Sequence, residues 1–326
     1  MRSARKSRSP TCERRRPLTS VYLGTSEFAA TILHELAEGP HRPSLVVTPP
    51  DRGSGRGRRV SPPPAAVAAR ELGLELHQTP DVNADESRRA LLAVEPDVAS
   101  VCAFGQLIRE PLLSELLFLN VHPSLLPRWR GAAPIERAIM AGDECTGVCV
   151  IRLTAGLDSG PVALRREIAI GAADDYGSLA SKLAALGAGS LSDALDVHAE
   201  GAIEFADQSE EGITYAEKVG AAERRIDTGR AAAAEALRVR ALTPHIGAYA
   251  GLDDGSRLGL RDVAAAARGP GAGRFAAAEE GDALLLGCGS GALRIGVVQP
   301  QGKRWMAAAD FLRGYGVPAG IGPERH

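Results

Sequence analysis

The sequence predicts an α/β fold followed by a smaller, β-rich domain. A short apolar strand at 20–23 leads through Gly24 into a helical pattern, which is how a parallel βαβ unit begins. The nearly continuous apolar run at 98–103 is typical of a strand that is buried on both faces of a parallel sheet. Beyond residue 250, short strands alternate with turns rich in Asp and Gly, which predicts hairpins that could close a small barrel.

Composition sets the broad class of protein. The chain has 326 residues, of which 44% are hydrophobic and 24% are charged, and this is ordinary for a soluble protein of two domains. Its net charge is −2, so any nucleic acid would have to bind at local basic patches. The five cysteines form no CxxC pair, and we expect a reducing, cytoplasmic setting without a metal site.

The N-terminal residues 1–17 are rich in Arg and Ser, and we expect them to be a disordered basic tail. They lack the apolar stretch of a secretory signal. An organellar transit peptide and an upstream start codon are the alternatives. From residue 18 the α/β domain begins, and Ser26 can cap a helix whose apolar residues recur at helical spacing.

A glycine-rich, basic segment runs from Pro49 to Pro64, and we expect it to lack regular structure. Its positive charges are Arg52, Arg56, Arg58 and Arg59. Guanidinium groups and the N–H groups of glycine-rich backbone are suited to phosphate. A solvated surface loop is the alternative, although a loop of this length in a compact domain is more often functional.

Strands and helices then alternate, as an α/β domain requires. We expect strands at 44–48, 74–78 and 148–153 and helices at 65–72, 85–93, 133–142 and 176–186.

The stretch from Leu119 to Pro134, LNVHPSLLPRWRGAAP, is the most informative part of the chain. Side chains alternate along a strand, so Asn120 and His122 point from the same face. Pro123 ends the strand, which places this pair at its carboxyl end, where ligands bind in open α/β sheets. A structural histidine and a turn-forming asparagine are the alternatives, but the loop that follows is too polar and too rigid to fill a core.

Asp158 lies in a second motif, GLDSG, at Gly156–Gly160. Aspartate in such a turn is more often a turn former than a catalyst. The preceding strand is the one predicted at 148–153, so Asp158 lies just past a strand end.

The run NVHPSLLPRWRGAAPI, together with GLDSG, resembles the folate-dependent formyltransferases, and most of all those members that act on methionyl-tRNA. The resemblance implies a Rossmann-like formyltransferase domain over 18–203, a linker over 204–212, an OB-like barrel over 213–318 and a tail over 319–326. The segment from Thr214 to Asp227 resembles the family's entry into its C-terminal domain. Thr228 stands where the family usually has tryptophan.

The resemblance also implies a reaction and a set of site residues. Formyl would pass from 10-formyltetrahydrofolate to the amino group of initiator methionyl-tRNA, giving N-formylmethionyl-tRNA for translation initiation, in a monomer with no metal, DNA or membrane partner. The implied catalytic residues are Asn120, His122 and Asp158, and the resemblance implies that the strand before Asp158 runs parallel to its neighbours, so that the three side chains converge. The implied folate-binding residues are Phe104, Gly105, Gln106, Leu107, Ile108, Ser124, Leu125, Leu126 and Pro127. The implied tRNA-binding residues are Arg52, Arg56, Arg58, Arg59, Lys303 and Arg304.

Three alternative functions stay open. A sugar-nucleotide N-formyltransferase would share the catalytic residues, but we would not expect it to carry the basic segment. A formyltetrahydrofolate hydrolase or dehydrogenase would share the first domain, and the dehydrogenase needs an added domain for which the chain leaves no room. An inactive RNA-binding module is the third alternative, against which the presence of His122 and Asp158 argues.

The basic segment generates a test. Guanidinium contacts to phosphate release counterions, and affinity for duplex then falls with a salt slope of roughly −0.9 per contact. Changing Arg52, Arg56, Arg58 and Arg59 together to Ala should flatten the salt dependence of RNA binding and leave folate binding nearly unchanged. A salt titration of both proteins measures this. Equal slopes would show that the segment is only a solvated surface feature.

Overall fold

The structure is a computed structural model, and it describes residues 17–54 and 59–322. A mixed seven-stranded sheet forms the N-terminal part, and an antiparallel sheet forms the C-terminal part. The α/β class with a β-rich C-terminal domain is thereby confirmed. Residues 1–16 of the predicted tail, and 323–326 at the other end, lie outside the described residues.

The N-terminal part is a parallel-dominant, Rossmann-like sheet. The strands of the N-terminal part are β1 (Ser20–Gly24), β2 (Leu45–Thr48), β3 (Arg52–Ser54), β4 (Arg59–Ser61), β5 (Glu75–Gln78), β6 (Val98–Cys102), β7 (Phe118–His122), β8 (Arg130–Gly131), β9 (Cys145–Arg152) and β10 (Val162–Ala169). Of these, β3, β4 and β8 lie outside the main sheet. The order across the main sheet is β10-β9-β7-β6-β1-β2-β5. The five strands from β7 to β5 in this order are parallel, so their carboxyl ends share one edge.

Helices cover this sheet. They are α1 (Glu27–Glu38), α2 (Pro64–Glu71), α3 (Asp85–Ala93), α4 (Leu112–Glu115), α5 (Pro134–Ala141) and α6 (Tyr176–Ala199). As predicted, Ser26 caps α1, because its hydroxyl accepts a hydrogen bond from the Ala29 amide. α6 is one helix of 24 residues where we expected a helix over 176–186 only. Its buried residues and those of α1 form one core with the sheet.

The direction of β9 differs from the expectation. β9 runs antiparallel to β7, with Leu119 opposite Arg152 and His122 opposite Cys149. The prediction of a parallel strand before Asp158 was therefore wrong, since an apolar run shows burial and not direction. β10 was not predicted, because its sequence VALRREIA belongs to a partly exposed edge strand and carries charges.

The basic segment also departs from the expectation. Its two ends pair as an antiparallel hairpin of β3 and β4, in which Arg52 lies opposite Ser61 and Gly53 opposite Val60. The prediction that glycines exclude regular structure was wrong for these ends, since glycine weakens a strand without forbidding pairing. Arg56 and Arg58 lie outside the described residues.

The C-terminal part is an antiparallel sheet flanked by two helices. Its elements are β11 (Tyr215–Ala216), α7 (Ala232–Leu242), β12 (Ala248–Gly251), β13 (Arg257–Ala266), β14 (Phe275–Ala277), β15 (Leu284–Gly287), β16 (Ala292–Pro300), β17 (Met306–Ala307) and α8 (Ala308–Tyr315). The order is β12-β13-β16-β15-β14, with β17 on β16. β12 and β14 end this order, so closure into an OB-like barrel stays a prediction.

A second hydrophobic core lies between this sheet and α7 and α8. Leu293 and Ile295 of β16 are buried in it, whereas Val297 is only partly buried and Val298 takes the inward position. Asp262, opposite this region, has a φ of 49°, which distorts the regular alternation.

Three further properties bear on function. Among the described residues, no helix is both long and apolar enough to cross a membrane. Within 17–54 and 59–322, no group of three or more His, Cys, Asp or Glu side chains is arranged to hold a metal ion. Cys149 is buried, and Cys145, at the start of β9, is exposed.

Candidate active site

The carboxyl end of β7 carries a polar pair. β7 is buried along its whole length, yet it places Asn120 and His122 at a cavity of about 420 Å³. Asn120 is 8% exposed and His122 4% exposed, so both are nearly enclosed. The Asn120 amide forms no side-chain hydrogen bond within the described part of the chain. The amide is therefore free to bind a ligand.

The His122 ring is fixed by a backbone carbonyl. Its Nε2 lies 2.9 Å from the Trp129 oxygen, and because a carbonyl only accepts, Nε2 carries the hydrogen. Its Nδ1 lies 3.7 Å from Oδ2 of Asp158, which is too long for a direct hydrogen bond. Nδ1 is therefore the ring atom that can exchange a proton, and it faces a carboxylate across a narrow gap.

The Trp129 carbonyl is held from several sides. The indole N–H donates to Asp143 at 2.8 Å, and Arg128 donates to the same carboxylate at 2.9 and 2.6 Å. The carboxylate of Asp143 raises the pKa of Arg128 through these hydrogen bonds. The Trp129 amide donates to the Thr214 hydroxyl at 2.8 Å. The Pro-Arg-Trp-Arg run thus has a structural role, which is to present one carbonyl to His122.

The loop that carries Asp158 turns back along the sheet and brings the Asp158 carboxylate close to His122. β9 ends opposite Leu119, and the Leu153 amide donates to the Phe118 oxygen, so the chain leaves β9 at the far end from His122. The loop 153–161 then returns. Asp158 has a φ of 45°, a left-handed conformation that is uncommon for residues other than glycine, and its Oδ2 accepts from the Gly131 amide at 2.8 Å.

Two glycines are required by close approaches around this loop. A Cβ at Gly160 would overlap the carbonyl oxygen of Arg152. Gly131 has a φ of 118°, and a Cβ there would lie 2.9 Å from the Ala216 oxygen. Replacing either glycine would push apart the backbones that position Asp158.

The segment 204–217 supports both loops, a role that the sequence did not show. The Gln208 oxygen accepts from Arg130 Nε and Nη2 at 3.0 and 2.7 Å. The Gln208 Nε2 donates to the carbonyl oxygens of Asp158 and Gly160 at 2.8 and 2.7 Å. A lone glutamine in a polar stretch gives no pattern from which such a contact could be predicted.

β11 continues this support by pairing in parallel with β8. The Ala216 oxygen accepts from the amides of Ala132 and Ala133 at 2.9 and 3.1 Å. On α5, Arg137 bonds to Glu223, and the guanidinium lowers the pKa of that carboxyl. The start of the C-terminal part is thus joined to the loop that follows His122.

The predicted folate residues divide into two groups. The segment Phe104–Ile108 lines the cavity, with Leu107 exposed and Phe104 buried. The Gln106 side chain holds this segment in place, because it accepts from the Val82 amide and donates to the Thr79 oxygen. The backbone N–H groups of the segment Phe104–Ile108 form no hydrogen bond among the described residues and are open to a ligand.

The second group, Ser124–Pro127, does not line the cavity. The Ser124 hydroxyl donates to the Arg128 oxygen at 2.7 Å, and Leu126 packs against Cys149 and Ile151. The geometry therefore does not support direct folate contacts from Ser124, Leu125, Leu126 and Pro127.

A second cavity, of about 460 Å³, lies on the C-terminal sheet. It is lined by the cations Arg224, Arg257, Arg261 and Lys303 and the aromatics Tyr249 and Trp305, and no acidic side chain is among the described residues that line it. We call it the basic cleft. The Arg261 guanidinium stacks on Trp305 at 4.0 Å, and its Nε is buried without a partner among the described residues.

Of the predicted RNA-binding residues that the structure describes, Lys303 alone lines the basic cleft. Arg304 is exposed next to it, and Arg52 is exposed on the β3–β4 hairpin. Arg59 begins β4, while Arg56 and Arg58 lie outside the described residues. The arginines of the basic cleft were missed because they come from separate strands and form no run in the sequence.

Comparisons with known proteins show which family the chain resembles. A family model described as formyl transferase matches residues 18–195, and one described as formyl transferase, C-terminal domain, matches 218–316. The chain is 40% identical over 307 residues to the methionyl-tRNA formyltransferase of Aromatoleum aromaticum, covering 93% of this chain and 96% of that protein. It is 42% identical over 299 residues to that of Methylococcus capsulatus, covering 90% and 96%.

Solved structures share the fold at low identity. HypX from Aquifex aeolicus in complex with tetrahydrofolic acid has a TM-score of 0.63 at 18% identity, over 90% of this chain and 47% of that one. WlaRD, a sugar 3N-formyl transferase, has a TM-score of 0.63 at 14% identity, over 88% and 99%.

The close approach at Gly160 can be tested by stability. Gly160→Ala should lower the free energy of unfolding by about 1–3 kcal/mol, because the new methyl group overlaps a backbone oxygen. Gly314→Ala in α8 is the control, since nothing lies within 4 Å of its Cβ and alanine favours the helix. Urea denaturation measures both variants. If both were as stable as the wild-type protein, the packing described around the loop would be wrong.

Proposed function

Since the chain belongs to the formyl transferase family, we propose that it transfers formyl from 10-formyltetrahydrofolate to the amino group of initiator methionyl-tRNA. The observation that carries the proposal is the convergence of an amide, an imidazole and a carboxylate on one cavity, from Asn120, His122 and Asp158. Relatives named methionyl-tRNA formyltransferase match more than nine-tenths of the chain, which favours methionyl-tRNA as the acceptor over a sugar nucleotide or water.

The donor fits the cavity beside β7. Phe104–Ile108 forms one wall, where unpaired backbone N–H groups can bind the polar edge of a heterocycle. The exposed Leu107 and the backbone of Gly105 leave the entrance apolar and open. A flat heterocycle with a polar edge is the kind of ligand that such a wall can hold.

The reaction needs a donor of hydrogen bonds at a developing negative charge. The amine attacks the formyl carbon, a C–N bond forms, and the carbonyl oxygen becomes an oxyanion in a tetrahedral intermediate. The free amide of Asn120 can donate to that oxygen, and an amide does not titrate. Collapse of the intermediate breaks the bond to the folate nitrogen and restores the carbonyl.

One proton must move from the attacking amine to the leaving folate nitrogen. Asp158 is placed to accept it, directly or through water, because its carboxylate borders the cavity. His122 can carry a proton on Nδ1, the nitrogen that faces Asp158, and pass it on as the folate nitrogen leaves. The pair thus moves the proton while the Trp129 carbonyl holds the ring in position.

The tRNA acceptor is supported by the charge on the C-terminal sheet. The basic cleft offers guanidinium and ammonium groups for phosphates, and aromatic faces on which bases can stack. The β3–β4 hairpin is a second basic element, on the N-terminal part. A monomer in the cytoplasm is the setting that we propose, since the product is consumed at translation initiation.

The direct test of the proposed function is an acceptor comparison. The protein is mixed with 10-formyltetrahydrofolate and either methionyl-tRNA, free methionine, an amino sugar nucleotide or no acceptor. We expect formyl incorporation only with methionyl-tRNA. Equal or faster transfer to the sugar nucleotide, or release of tetrahydrofolate without acceptor, would overturn the proposal in favour of another transferase or a hydrolase.

The catalytic residues are tested by truncation of their side chains. His122→Ala or Asp158→Ala should lower kcat by at least about a hundredfold, since acid–base groups contribute roughly 10²–10⁴. Asn120→Ala should cost on the order of 10²–10³, as for the loss of one oxyanion donor. Folate binding should change far less. Near-normal turnover in any of these proteins would contradict the proposed mechanism.

The basic cleft is tested by Arg261→Ala, which removes one cation and its stacking on Trp305. We expect the KM for methionyl-tRNA to rise and the salt slope of tRNA binding to fall in magnitude by about 0.7–0.9, the value for one phosphate contact. The KM for folate should not change. Arg313→Ala is the matched control, since this arginine of α8 is exposed outside the basic cleft. Identical slopes for both variants would exclude the basic cleft from tRNA binding.

A further inference from the structure

The structure assigns a role to Gln208, in the segment that the sequence predicts to be a linker. We propose that Gln208 is a positioning residue that holds the loop 153–161, and with it Asp158, opposite His122. The effect on turnover rests on the proposed function, whereas the effect on the loop does not. Gln208 touches no reacting atom in this arrangement, and it acts through the backbone of Asp158.

Both ends of the Gln208 side chain are used. Its oxygen accepts from two nitrogens of Arg130, and its nitrogen donates to the oxygens of Asp158 and Gly160, all within 2.7–3.0 Å. Only a primary amide offers an acceptor and two donors on one planar group of this size. A carboxylate cannot donate to the loop, and an apolar side chain of equal length can neither donate nor accept.

Arg130 sets the orientation of this amide. Its side chain belongs to a residue that is 9% exposed, and it forms no ion pair with a carboxylate among the described residues. Because Nε and Nη2 of Arg130 both donate to the Gln208 oxygen, the NH₂ group of Gln208 is turned to the loop. The alternative flip of the amide would place donor against donor and is excluded.

The loop needs such support because its backbone is unfavourable on its own. Asp158 is left-handed, and a residue with a Cβ persists there only when its surroundings hold it. The Gly131 amide holds the carboxylate, and Gln208 holds the carbonyl of the same residue. Arg130 and Gly131 are adjacent in β8, so one short strand fixes Asp158 at two points.

Gln208 itself is held on both sides along the chain. Ala206 pairs with Val162 through hydrogen bonds of 2.8 and 2.9 Å, and Thr214 bonds to Trp129. The segment is therefore anchored before and after Gln208. A change at Gln208 should loosen the loop without releasing the rest of the segment.

The test uses the full chain with Gln208→Met, which keeps the length of the side chain and removes its hydrogen bonds. We expect kcat to fall about 10–100-fold, because a small misplacement of a catalytic group can cost about a hundredfold. The KM values for folate and methionyl-tRNA should stay within about threefold. Glu210→Gln is the control, since this exposed side chain lies two residues further along, and it should behave as the wild-type protein.

Hydrogen exchange of the substrate-free proteins gives a second readout. We expect faster exchange in Gln208→Met at the Gly131 amide, which donates to the Asp158 carboxylate, and at the Arg152 amide, which donates to the Pro161 oxygen. We expect no change at these amides in Glu210→Gln, and similar melting temperatures for both variants. Gln208→Glu keeps the acceptor for Arg130 but cannot donate to the loop, so it should resemble Gln208→Met, and it replaces that variant if Gln208→Met does not fold.

Two results would overturn the inference. One is a folded Gln208→Met protein with wild-type kcat, and the other is unchanged exchange at the amides of Gly131 and Arg152. If the wild-type protein fails to formylate methionyl-tRNA, the proposed function fails by itself, and the exchange experiment still decides whether Gln208 positions the loop.

Discussion

The hydrogen bond from His122 Nε2 to the Trp129 carbonyl is the interaction on which the rest of the site depends. It fixes the ring, assigns the hydrogen to Nε2 and leaves Nδ1 facing Asp158. The polar loop after β7 serves that bond, because Asp143 and Thr214 hold Trp129 in place. A loop that looks from its composition like a ligand-binding surface is thus largely a support for one histidine.

The support extends into the segment that leads to the C-terminal part. Gln208 and Thr214 each bond to a loop on one side of the cavity, so the two loops are held by a single stretch of chain. The start of the C-terminal part is then bonded to α5, which follows the His122 loop, through Arg137 and Glu223. The candidate site is therefore built on contacts from well beyond the sheet that carries it.

Much of the fold was predicted from local sequence patterns. The features that were not predicted were missed for physical reasons. The capped helix after Gly24, the buried strand at 98–102 and the shared face of Asn120 and His122 are set by neighbouring residues, which a sequence displays. The antiparallel direction of β9 and the reach of Gln208 depend on residues far apart in the chain, and no local periodicity encodes them. The arginines of the basic cleft were hidden for the same reason.

The proposed proton transfer takes place at Nδ1 of His122. It requires the neutral ring to carry its hydrogen on Nε2. ¹⁵N NMR of the histidine rings, with His122 assigned by its loss in His122→Gln, measures the tautomer in the substrate-free protein. We expect the neutral ring of His122 to carry its hydrogen on Nε2, with Nδ1 unprotonated. A neutral ring with its hydrogen on Nδ1 would contradict this assignment, because Nε2 could then not donate to the Trp129 carbonyl.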